Sequence, residues 1–229
     1  MGPPSPASRR ADPTRKGRDY SGSWEDSCVT TRPYALLVPV KDGRGAKSRL
    51  GVGDASRRTA LMAAFARDAL VAASASDLVE VYVVGDPASA AGLPVTVLPD
   101  QGAGDLNRAL ARAAETLTRP DRGVAVLLAD LPCLRTEDLD DAIKTAAGRR
   151  AFVADAAGTG TTLLLAPAGT ALDPRFGPGS ATAHTASGAV AIEDRLESLR
   201  LDVDTTADLA AALRLGVGRS TAIATADLA

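Results

Sequence analysis

The run Val124–Leu134 reads VAVLLADLPCL, an apolar stretch that breaks off at an aspartate. Continuous apolar runs of this length, without alternation, belong to strands buried on both faces. Such strands occur in parallel sheets covered by helices on either side. The same grammar repeats around the run. ALLVPV (35–40) precedes a helical pattern over Ser56–Ala75, and VEVYVV (79–84) and PVTVL (94–98) precede another over Leu106–Leu117. VAVLL (124–128) leads into a third helix over Thr136–Ala147. This β/α alternation predicts an α/β fold: a single-domain three-layer α/β/α arrangement around a mostly parallel sheet. AFVAD (151–155), TTLLLA (161–166), AVAIE (189–193) and LRLDV (199–203) read as further strands with short connections, adding an antiparallel portion. Thr206–Leu215 closes the domain as a helix.

Composition narrows the functional classes. The chain has 229 residues, 45% of them apolar, and a formal net charge of -2, so no clustered basic excess favours nucleic acid. Aromatics make up only 3%, and the core must come from Val, Leu and Ala. Cys28 and Cys133 lie in segments of different character and form no disulfide framework. No stretch has the length of a membrane span and no apolar secretory segment opens the chain, so a cytoplasmic protein without membrane partners is expected. Residues 1–32 hold four prolines, six basic and four acidic residues with almost no apolar periodicity, and are expected to be a disordered extension. There is no internal repeat.

In a doubly wound sheet, ligands collect outside the carboxyl ends of the strands. The first strand runs into Lys41, Arg44, Lys47 and Arg49, threaded by glycines. That loop suits a polyphosphate, or is a solvated basic turn. It is neither a P-loop nor GxGxxG. Asp130, at the tip of an apolar layer, is costly there unless offset; a divalent cation would offset it, and an Asx turn is the plain alternative. Asp202 and Asp204 alternate along LRLDVD and would share a strand face about 7 Å apart, close enough to share a cation with Asp130. Thr205 and Asp208 read as a helix-capping pair. Gly158–Thr162 and Phe176–Ser180 offer backbone N–H groups to a small anion, or are ordinary glycine turns. Gln101–Asn107 could present its amides, Asn107 among them, to a nucleobase edge, though capping by Asp105 explains the stretch equally. The one histidine, His184, lies in an Ala/Thr-rich segment and reads as structural. With no evident nucleophile or base, the chemistry that remains is phosphoryl or nucleotidyl transfer to an anionic acceptor.

LVPVK with KSRL shortly after, LLADLPCL, FVADAAGTGTTLL, FGPGSATAH, LRLDVDTTADL and RLGVG, in that order, resemble the guanylyltransferases of deazaflavin coenzyme (coenzyme F420) biosynthesis. The resemblance spans about residues 34–219. It implies the molybdenum-cofactor guanylyltransferase-like nucleotidyltransferase fold, a domain over 33–220 and a tail over 221–229. It implies transfer of GMP from GTP to phosphoenolpyruvate or 2-phospho-L-lactate with release of pyrophosphate, feeding a downstream transferase of the same pathway. It further implies Mg2+ on Asp130, Asp202 and Asp204, the phosphoacid on Thr162, Gly177 and Ser180, and the GTP phosphates at Lys41 and Lys47. With Asn107 from the Gln101–Asn107 stretch, these two lysines make up the expected nucleotide contacts. Two alternatives stay open: a nucleotidyltransferase of this fold with a different phosphorylated acceptor, and a catalytically silent GTP-binding scaffold.

Overall fold

The computed structural model describes residues 1–2, 33–40, 51 and 54–226, and the fold belongs to the compact unit Arg32–Ala229. Nearly all of the extension 1–32, with Cys28, and the basic loop with Lys41, Arg44, Lys47 and Arg49 lie outside the described residues.

Strand β1 (Tyr34–Val40) is flanked by β2 (Val79–Gly85) and β4 (Gly123–Leu127), both parallel to it, and β3 (Thr96–Leu98) extends the β2 side in parallel. On the other side β6 (Thr161–Ala166) pairs antiparallel with β4 and with β5 (Ala151–Ala154), and β7 (Val190–Ala191) runs parallel to β5. The order β3-β2-β1-β4-β6-β5-β7 gives the expected mostly parallel sheet with one antiparallel portion. Successive β1 residues serve opposite faces, as a strand buried on both sides requires. Leu36, Val38 and Val40 pack with Ala66, Ala69 and Leu70 of α1 (Ala55–Ser74) and Leu139 and Ala142 of α3 (Thr136–Ala146). Ala35 and Leu37 join Ala109, Leu110 and Ala113 of α2 (Leu106–Leu117) and Ala181 of α4 (Ser180–Ala186). Each fully buried Leu or Val contributes about 1.5–3 kcal/mol of transfer free energy, which lets a core poor in aromatics hold.

The helices begin where their caps dictate. Asp54 accepts the Arg57 N–H at 2.9 Å and Asp105 the Arg108 N–H at 3.1 Å. Thr205 and Asp208 form a reciprocal capping box at the start of α6 (Thr206–Leu215). Two expected strands differ. AVAIE shrinks to the two residues of β7. LRLDV is not a strand: Glu197–Arg200 forms one helical turn, α5, and Leu201–Asp204 runs on without a ladder. A hydrogen bond from the Val203 N–H to the Asp130 carbonyl, at 3.0 Å, ties it to the sheet side. Within the expected tail, Thr221–Thr225 is helical, as part of α7 (Arg219–Thr225). Its cap is remote in sequence: the buried Asp68 of α1 accepts the Ser220 N–H at 2.9 Å and the Thr221 N–H at 2.8 Å.

His184 of α4 is fully buried. Its Nε2 accepts the Arg175 N–H at 3.0 Å, which fixes the tautomer, so Nδ1–H donates to Thr161 Oγ1 at 2.9 Å. Only a neutral ring can make both bonds. Burial, reinforced by the Arg150 charge, holds its pKa down at about 4.

Two consequences are measurable. Replacing Asp68 with Ala strips both N–H groups of α7 of their acceptor, at a cost of about 2 kcal/mol. In thermal melts that is a fall of roughly 4–8 °C for a chain of this size, and an unchanged Tm contradicts the cap. For His184 the folded pKa lies below the unfolded 6.5, so the unfolded chain binds the extra proton. Its stabilisation is complete above pH 6.5 and is lost as pH falls towards 4, by no more than about 3 kcal/mol. Urea midpoints measured from pH 7 to 4 should fall more steeply for the native chain than for His184→Gln; equal slopes contradict this.

Candidate active site

The chain builds β1, β2 and β3 outward in one direction and then returns to lay β4 on the other side of β1. The carboxyl ends of β1 and β4 therefore diverge at a topological switch point, where an open α/β sheet leaves a crevice. Because β6 runs antiparallel to β4, its first residues arrive at the same edge: the Leu128 N–H donates to the Thr162 carbonyl at 2.9 Å.

Asp130 stands just past β4. The Val203–Asp130 hydrogen bond brings Asp202 and Asp204 to either side of it, and oxygens of the three carboxylates all lie within 4.8 Å of one another. Val203 is fully buried against Leu61 and Phe65 of α1 and Leu209 and Ala212 of α6, so its two aspartate neighbours turn the other way. Asp208 supports the arrangement by accepting the Asp204 N–H at 3.2 Å and the Thr205 N–H at 2.8 Å. Among the described residues this is the one acidic group that could hold a metal ion. Three hard carboxylate donors fit a divalent cation of the Mg2+, Mn2+ or Ca2+ kind. Cys133 beside them is no ligand: its Sγ donates to the Ala212 carbonyl at 3.3 Å, and burial pushes the thiol up to about 11.

A cavity of about 470 Å³ opens between the ends of β1 and β2 and the start of α2. Val40, Val84, Leu106 and Ala109 give it apolar walls, and Asp86 and Asp100 contribute carboxylates. Gly85 makes the closure possible. Its φ is +111°, and a Cβ there would sit 2.4 Å from the Val40 carbonyl, the same oxygen that accepts the Asp86 N–H at 2.8 Å. Asp86 Oδ1 accepts the Ala88 N–H and Asp100 Oδ1 the Gly102 N–H, which fixes both side chains. Sequence reasoning missed these two aspartates. The signal was present, since each stands close behind an expected strand, as Asp130 does.

Of the other expected site residues, Thr162 is buried at the start of β6 with its hydroxyl 3.4 Å from the Val153 carbonyl. Ser180 opens α4, is 2% exposed and donates its N–H to the Gly177 carbonyl at 3.0 Å. Gly177 and Gly179 hold positive φ of 132° and 74°, a path open to glycine. The Asn107 amide is engaged within the protein: it bonds Phe176, as Nδ2 to the carbonyl at 2.9 Å and Oδ1 to the N–H at 2.7 Å. His184 is structural, as expected.

Comparison with known proteins agrees with this geometry. Residues 34–222 match the family described as "Guanylyl transferase CofC like". A Streptomyces avermitilis protein named phosphoenolpyruvate guanylyltransferase is 48% identical over 206 residues, covering 85% of this chain and 95% of its own. One of the same name from Thermomonospora curvata is 45% identical over 199 residues, covering 82% and 87%. The crystal structure of a 4-diphosphocytidyl-2C-methyl-D-erythritol synthase shares the fold, with TM-score 0.51 at 19% identity over 81% of this chain and all of that one. A sheet with this switch point and an acidic cluster beside it, matched over most of its length by one family, places the chain among the CofC-like guanylyl transferases.

Proposed function

We propose that the protein is a cytoplasmic enzyme that transfers GMP from GTP to phosphoenolpyruvate and releases pyrophosphate, in the making of a deazaflavin coenzyme. The observation that carries the reading is the convergence of Asp130, Asp202 and Asp204 past the carboxyl end of β4, in a chain whose relatives are named phosphoenolpyruvate guanylyltransferase. Among the described residues no helix is long and apolar enough to cross a membrane.

In this reading the base enters the 470 Å³ cavity, stacked between the apolar walls. Guanine presents two adjacent donors, N1–H and the N2 amino group, on its pairing edge, and Asp86 and Asp100 offer carboxylate acceptors. Adenine offers an acceptor at N1 and would meet repulsion there. Lys41 and Lys47, outside the described residues, are proposed to face the phosphates. The phosphoacid is proposed to lie against Thr162, Gly177 and Ser180.

A phosphate oxygen of the acceptor then attacks the α-phosphorus of GTP, and the bond from that phosphorus to the bridging oxygen of the β-phosphate breaks. Pyrophosphate leaves with the electron pair. Phosphoenolpyruvate is already ionised at neutral pH, so no base is needed, and the one histidine of the chain is committed to the fold. Asp130, Asp202 and Asp204 would hold Mg2+, which when bound supplies charge neutralisation for the transferring phosphoryl group and the leaving pyrophosphate. The walls Val40 and Leu106 keep the nucleotide from sliding along the crevice, and orientation supplies much of the remaining rate.

The test is pyrophosphate release from GTP and Mg2+ with phosphoenolpyruvate, 2-phospho-L-lactate or 3-phosphoglycerate, in the presence of the downstream transferase. Release with phosphoenolpyruvate is expected. Replacing Asp130 with Asn should lower kcat on the order of a hundredfold or more while leaving the circular dichroism spectrum unchanged. A near-native rate in that variant, or silence of the folded native chain with all three acids, contradicts the reading.

A further inference from the structure

Asn107, the second residue of α2, presents its carboxamide to a single residue of a distant loop. It donates from Nδ2 to the Phe176 carbonyl at 2.9 Å and accepts the Phe176 N–H on Oδ1 at 2.7 Å. A carboxamide is the one side-chain group that matches a residue's N–H and C=O at once, and the pairing of donor with acceptor fixes which end is nitrogen. Phe176 is gripped from its other side too. Its ring meets the His184 ring edge-on at 5.2 Å, and the preceding Arg175 N–H donates to His184 Nε2.

Phe176 is the last anchored residue before a glycine-rich loop. Gly177, Pro178 and Gly179 lead into Ser180, and the two glycines take positive φ values that local sequence preference does not enforce. The height of this loop is set at its two ends. One end is Phe176; the other is the first turn of α4, where the Ala181 N–H donates to the Thr159 carbonyl at 3.1 Å. Asn107 thus ties the loop to the same first turn of α2 whose Leu106 and Ala109 line the cavity.

We propose that Asn107 is a positioning residue for the acceptor loop and does not read the nucleobase. Its carboxamide fixes where Gly177 and Ser180 stand relative to the cavity, and so where the acceptor's phosphate meets the α-phosphorus. This rests on the reading of Gly177 and Ser180 as acceptor contacts.

The experiment measures kcat and the separate KM values for GTP and phosphoenolpyruvate, with ATP as a competing donor, in the native chain and in Asn107→Ala, Asn107→Asp and Ser180→Ala. Asn107→Asp has the native shape and keeps the acceptor for the Phe176 N–H, so it reports even if the alanine variant folds poorly. Losing one or two neutral hydrogen bonds should raise the KM for phosphoenolpyruvate about fivefold in the aspartate variant and about tenfold or more in the alanine variant. The KM for GTP should move less than about twofold, and the preference for GTP over ATP should persist, because neither depends on the loop. A raised KM for GTP or a lost guanine preference, with the acceptor KM unmoved, overturns the proposal in favour of base reading. An acceptor KM raised by Ser180→Ala but by neither Asn107 variant overturns the positioning role alone. An acceptor KM unmoved in all three variants overturns the placement of the acceptor on this loop, and the positioning role with it.

Discussion

A hydrogen bond from the Val203 N–H to the Asp130 carbonyl assembles the acidic cluster. Asp130 arrives on a buried central strand, and Asp202 and Asp204 arrive on a segment about seventy residues later that belongs to no sheet. Bringing three carboxylates within 4.8 Å is electrostatically unfavourable by itself, so other contacts must hold the segment in place. Val203 does this by burying its side chain in the small cluster formed by α1, α6 and Cys133, while Asp208 accepts the backbone N–H groups of Asp204 and Thr205. Repulsion among the carboxylates is thus held by packing and capping on the far side of the chain. A cation between them would turn that repulsion into attraction.

The sheet and the layers were legible because their cause is local. Apolar runs with period two or none, and helices with capping aspartates at their starts, are written in consecutive residues. Leu106–Leu117 and Thr161–Ala166 fall where periodicity puts them. The elements that escaped depend on partners far away. LRLDV has the composition of a strand but meets the Asp130 carbonyl where a strand needs a ladder. The helix over TAIAT (221–225) escaped because its cap, Asp68, lies 153 residues upstream of Thr221. The site followed the same division. Asp130, Asp202 and Asp204 could be read as a group from their placement at element ends, and the resemblance to a family named their role. The pairing of the Asn107 amide with Phe176 could not be read, since its partner there is backbone, which carries no side-chain signal.

The sparing use of reactive side chains fits the proposed chemistry. The buried His184 and Cys133 are both held away from their reactive ionisation states, one as a neutral ring and the other as a thiol. The fold offers charge and shape: an acidic cluster past β4, an apolar cavity with two carboxylates past β1 and β2, and a loop anchored at both ends. Transfer to an acceptor that is already anionic asks for these and little else.

The central claim is that the Asp130 cluster is a divalent-cation site. Titration of the full chain with Mn2+, followed by the paramagnetic signal of the free ion, tests it without reference to turnover. One ion per chain is predicted for the native protein, with affinity weakened at least about tenfold in Asp130→Asn and in Asp202→Asn. Equal Mn2+ affinity in the native chain and both variants would contradict the claim.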